Sequence, residues 1–150
     1  MPNTGTESAQ NFMAHRSALL ELLENIPDDQ ADFAAWEGGM SFKKLIDHLN
    51  GSNARMQSLI KGETPEPVQP SADFAASKSR MKQNAQDVQS FLSSLTEAQL
   101  GQVVPAFGGM QISVHKLASM MVEHEIHHKG QIWMMARMIG VQPPMFTKLG

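Results

Sequence analysis

The chain has 150 residues, 41% of them apolar and 18% charged, with a net charge of -3; this suits one domain around one core and excludes intrinsic disorder. No apolar run approaches the ~18 residues of a membrane span, and no basic run offers a footprint for nucleic acid, so neither a membrane nor nucleic acid is expected as a partner. Cysteine is absent, which removes disulfides, thiolate nucleophiles and Cys metal sites, and the opening MPNTGTESAQ lacks the order of a secretory signal, so a cytoplasmic location with loose residues 1–7 is expected.

Four segments carry helical periodicity. The first, from about Ser8 to Asn25, repeats Phe12, Leu19, Leu22, Leu23 and Ile26 at three- and four-residue spacing until Pro27-Asp28-Asp29 stops it. The second opens at Ser41 as N-cap and places Phe42, Leu45, Ile46, Leu49, Met56, Leu59 and Ile60 on one stripe, ending at Gly62. Pro65, Pro67 and Pro70 then mark a linker or an overhand crossover. The third, Ser71 to Leu95, carries Phe74, Met81, Val88, Phe91 and Leu92, and Thr96-Glu-Ala-Gln99 after it fits a capping box for one extra turn. The fourth runs from Ser113 to Ile139, where Gly140 and Pro143-Pro144 end it. Four long helices and no convincing strand predict an all-α four-helix bundle. Gly38-Gly39-Met40-Ser41 and Gly108-Gly109-Met110 leading to Ser113 form a weak internal echo, each heading a helix. The twelve methionines fall mostly on apolar stripes, where they fill a core better than they bind a soft metal.

The fourth segment contains Val122-Glu-His-Glu-Ile-His-His128-Lys-Gly-Gln-Ile132. At about 100° per residue, His128 points along the apolar stripe, His124 lies about 40° and Glu125 about 60° from it, and His127 lies at the rim. Histidines four apart stand one above the other, so both imidazoles reach a single ion at about 2.0–2.1 Å. A third ligand would come from His48, on the flank of the second stripe, or from His15, which periodicity prefers; His115 falls on the solvated side. Three neutral histidines with an open position is a catalytic zinc pattern, and imidazole suits nickel as well. The match to H-E-x-x-H fails as a peptidase, because no Asp or Glu follows Glu125 and no histidine follows His128 to complete such a site. Glu125 is a candidate orienting or acid-base group, with a salt bridge to a neighbouring helix the alternative. Gln131 is a candidate hydrogen-bond donor behind the ligands. Lys129 and Arg137 either attract an anionic substrate or are solvated helix charges.

Ser41-Phe-Lys-Lys-Leu-Ile-Asp-His48 and His124-Glu-Ile-His-His128-Lys-Gly-Gln-Ile132, with Trp36 before the Gly-Gly turn and the closing Gly140 and Pro143-Pro144, resemble the DinB/YfiT-like metalloenzymes across about residues 10–147. The resemblance implies a four-helix bundle with a long overhand crossover, a homodimer, and a zinc or nickel ion held by His48, His124 and His128, thus favouring His48 over His15. It further implies a small-molecule substrate and a low-molecular-weight thiol as co-substrate, in S-transferase or hydrolase chemistry; a chain without cysteine suits an imported thiol. A stress-related protein using the ion only to lock two helices, and a metal-free bundle acting through a dimer interface, are the rival readings.

Overall fold

The computed structural model describes residues 4–149. Its elements in order are α1 (Gly5–Glu24), a 3-10 turn (Asp28–Gln30), α2 (Phe42–Ile60), α3 (Phe74–Ser94), the short α4 (Glu97–Leu100), a hairpin of β1 (Val103–Ala106) and β2 (Met110–Ser113), and α5 (Val114–Met138). α1 packs on α3 and α5, and α2 packs on the same two helices, so α1 and α2 lie across one diagonal of the bundle and α3 and α5 across the other. The proline-rich residues 61–73 cross from α2 to α3, pinned where Arg80 donates to the Gln69 carbonyl at 2.9 Å. Among the described residues no helix is long and apolar enough to cross a membrane.

Each long helix forms where an apolar stripe follows a cap. The hydroxyls of Ser41 and Ser113 accept from the backbone N–H of Lys44 and Lys116, replacing partners that a helix start lacks. Thr96 and Gln99 close the expected capping box of α4. Gly140, at φ 83, ends the last turn in a conformation that favours glycine. The apolar residues expected on the stripes are buried, Phe12, Leu19, Ile46, Leu49, Val88 and Leu117 completely, and each such side chain contributes roughly 1.5–3 kcal/mol by leaving water.

The structure corrects three expectations. Thr4 and Glu7 form a capping box that starts α1 at Gly5 rather than Ser8, so the loose N-terminal segment expected over residues 1–7 does not extend to residues 4–7; residues 1–3 lie outside the described residues. α3 begins at Phe74 because the Asp73 carboxylate caps it. The hairpin was not foreseen, since four-residue strands with Pro105 inside one of them give too short a pattern to separate from loop. The internal echo has a structural counterpart: an antiparallel pairing ends on each N-cap serine, Ala34 with Ser41 and Val103 with Ser113.

Candidate metal centre

His124 and His128, one turn apart on α5, meet His48 of α2 at the rim of the bundle. The three ring centroids lie 4.5 to 4.9 Å apart, and one nitrogen from each ring falls within 4.8 Å of the others. His48 is exposed, His124 half-buried and His128 buried, so the cluster spans the boundary between core and solvent. His48 Nε2 and His124 Nε2 are 3.0 Å apart. Two neutral imidazole lone pairs at that distance need a shared proton or a cation between them, and tetrahedral zinc separates two nitrogen ligands by about 3.3 Å.

Electrostatics favours the neutral rings. Burial first, then the neighbouring His128 and His48, push the His124 imidazole down to about 4. Burial and His128 lower His48 as well. Near neutral pH both rings are therefore uncharged, the form a metal requires. His128 Nδ1–H donates to Gln131 Oε1 at 2.7 Å, which leaves Nε2 as its free lone pair and fixes the ring. The donor set, its protonation and its bracing thus fit one divalent ion.

Gln131 stands where the sequence placed it, as an acceptor rather than a donor. Glu125 does not join the cluster. Its carboxylate takes both arms of Arg16, Nε to Oε2 at 2.7 Å and Nη2 to Oε1 at 2.9 Å, with the two side chains 0% and 1% exposed. Both oxygens are occupied inside the core, which replaces the expected acid-base role by the alternative, an interhelical salt bridge. His15 also stays apart, its Nδ1 2.8 Å from Lys129 Nζ; burial and that ammonium lower its pKa. Lys129 is not a solvated helix charge. It is buried, donates to the Phe146 carbonyl, and so ties the C-terminal tail to α5 and α1. Arg137 and His127 are exposed; His127 sets its ring edgewise on His128, with centroids 4.8 Å apart. His115 is half-buried.

The sequence reading missed a polar chain beneath the site. Arg16 Nη1 donates to Asn84 Oδ1 at 3.1 Å, which also accepts from Asn53 Nδ2 at 2.7 Å. Charge and amide thus run from Glu125 through α1 and α3 to α2. The available signal was position: Arg16 falls between Phe12 and Leu19, and Asn53 between Leu49 and Met56, each on an apolar stripe, where a polar residue needs a buried partner.

Cavities open on both sides of the cluster. One of about 340 Å³, between α2, α5 and the hairpin loop, has His124 in its wall. Another, of about 490 Å³, lies between α2 and the crossover and has His48 in its wall, and a third, of about 430 Å³ beside the start of α2, also reaches His48. Small-molecule access to the imidazoles is therefore built into the fold.

Comparison with known proteins agrees with this fold. The uncharacterized protein YjoA of Bacillus subtilis is 29% identical over 135 residues, 87% of each chain. The crystal structure of a DinB-like protein, YjoA, from Bacillus subtilis has a TM-score of 0.83 at 28% identity, over 96% of this chain and 99% of that one. A DinB-like protein from Bacillus cereus gives 0.81 at 15% identity, over 96% and 98%. YfiT from Bacillus subtilis, described as a probable metal-dependent hydrolase with an unusual four-helix bundle topology, gives 0.72 at 19% identity, over 92% and 89%. These last two are likenesses of fold. The DinB family itself matches residues 1–150, and the chain belongs to it.

Proposed function

We propose that this protein is a metal-dependent enzyme acting on a small molecule, with His48, His124 and His128 as ligands of one divalent ion, zinc or nickel. The observation that carries the reading is the convergence of three imidazoles from two helices, with one nitrogen of each within 4.8 Å of the others and two of the rings held neutral by partial desolvation and by the neighbouring imidazoles. The description of YfiT as a probable metal-dependent hydrolase supports it.

Held by three neutral ligands, such an ion keeps its full charge and lowers the pKa of a water or thiol that takes a remaining position. The chain's own part is placement. Gln131 keeps the His128 lone pair free and aimed, while the Arg16–Glu125 pair fixes α5 one residue away from His124. The Nε2 atoms of His48 and His124 face each other across 3.0 Å. An open cavity against His124 favours an enzyme over an ion that only locks two helices. Hydrolysis or transfer of a low-molecular-weight thiol is the reaction type, with a homodimer as the working form.

Elemental analysis of protein purified without added metal tests the reading. About one divalent ion per chain is expected, lost in His48→Ala, His124→Ala and His128→Ala and kept in His15→Ala. Metal that survives the first three substitutions would refute the assignment.

A further inference from the structure

The cavity against His124 differs in character from its neighbour. Met56, Met120, Met121 and Phe107 are half of its eight lining residues, and Arg55 is the one charged side chain among them. Among the described residues Arg55 forms no ion pair. One cavity on the His48 side is lined by Asp47 and Glu66 along with the same Arg55, so carboxylates offset the guanidinium there, whereas on the His124 side no carboxylate is among the lining residues.

Phe107 gives a second, independent observation. It begins the hairpin loop Phe107-Gly108-Gly109 with φ 46, the one non-glycine residue with positive φ among the described residues. The two glycines take that conformation freely, but a bulky side chain there costs roughly 1–2 kcal/mol. The strained residue puts its ring into the cavity wall, and strain of this kind collects where a ligand is held. Opposite it, methionine side chains bend to fit aliphatic shapes. Asn53 is fixed by Asn84 at 2.7 Å, giving the apolar wall a rigid polar end. At about 340 Å³ the volume is within the range of small-molecule pockets.

We propose that this cavity is the substrate seat and takes a small amphiphile, its apolar body on Met56, Met121 and Phe107 and its anionic end group on Arg55. The proposal rests on the metal-centre reading for one point, that His124 marks the reacting end.

Methionine methyl NMR tests it, because three methionines line the cavity while Met134, Met138 and Met145 are exposed elsewhere. Octanoate should saturably shift the methyl signals of Met56, Met120 and Met121 and leave the other three in place, and octylamine should bind at least about fivefold more weakly. Arg55→Gln should weaken octanoate about fivefold, the worth of one exposed ion pair, and leave 1-octanol unchanged. Phe107→Ala should weaken octanoate and 1-octanol alike. Equal binding of octanoate and octylamine, or shifts confined to the exposed methionines, overturns the proposal. Zinc uptake measured on the same samples separates the two readings. Protein that takes zinc but not octanoate sinks the pocket alone, and protein that binds octanoate but no zinc sinks the metal centre alone.

Discussion

Two pairs of side chains on α5 share one spacing and differ by a single residue in register. His124 and His128 face α2, where His48 completes a set of unshared lone pairs. Glu125 and Lys129, turned by about 100°, face α1, where every charge is answered: Glu125 by Arg16, Lys129 by His15 and the Phe146 carbonyl. The first pair is left chemically open and the second is closed. A helix that carries a reactive set on one face therefore needs a satisfied set on the next, because a turn of α5 about its axis would displace both imidazoles from His48.

Breaking the closed face should produce the largest effect. Glu125→Gln leaves Arg16 buried without its counter-charge and should cost about 3–5 kcal/mol in urea unfolding. Replacing both partners by apolar residues, Arg16→Met with Glu125→Leu, should recover most of that loss. Failure to recover would mean that the pair does more than neutralise itself.

Lys129→Met should cost roughly 1–3 kcal/mol, the penalty for orphaning buried hydrogen-bond partners. Hydrogen exchange should quicken in the C-terminal tail, beginning with the Lys148 amide that donates to the Ala14 carbonyl at 2.9 Å. Metal content should stay the same, which would distinguish this brace from the ligand set beside it.

On the open face, Gln131→Leu removes the acceptor for His128 Nδ1–H and should weaken metal binding by about 10–100-fold in a chelator competition. Unfolding of the metal-free protein should move by about 1 kcal/mol, the worth of one part-buried hydrogen bond. An unchanged affinity would show that the ring is oriented by packing alone.

The gentlest distinction is by pH. His124 titrates at about 4 in the native protein and at 6.5 when unperturbed. Between those values the unfolded chain binds more protons, so stability of the metal-free protein should fall as pH drops through that window. His48 and His15 are lowered too and act in the same direction. His124→Ala should flatten the decline, and zinc-loaded protein should decline more steeply because protons compete for the ligands. Identical profiles with and without zinc would mean that the imidazoles hold no ion.

The helices were legible in the sequence because each buries a continuous stripe behind a serine, threonine or aspartate cap. The site was legible in part. The i, i+4 pair His124/His128 stood out, but periodicity ranked His15 above His48, and the resemblance to a family was needed to reverse the order. The reason is physical: a stripe locates the core, whereas His48 sits exposed on the flank of α2, where a rim site draws its ligands. Arg16 was passed over because a lone charge on a stripe shows its meaning only when the opposing helix is known. The hairpin bearing Phe107 escaped because pairing over four residues gives almost no periodic signal.

The diagonal placement of α1 and α2 bears on how the molecule assembles. α1 finds its main neighbours in α3 and α5, and the Arg16–Glu125 pair joins residues 109 apart in the chain. A helical hairpin of α1 and α2 alone would have little to bury, so the N-terminal half has no stable resting point while it waits for the rest. Loop closure over such spans must come before the contacts that repay it. This bundle should therefore fold more slowly than an up-and-down bundle of its size, and two fragments cut within residues 61–73 should be unstructured apart and regain helicity only on mixing.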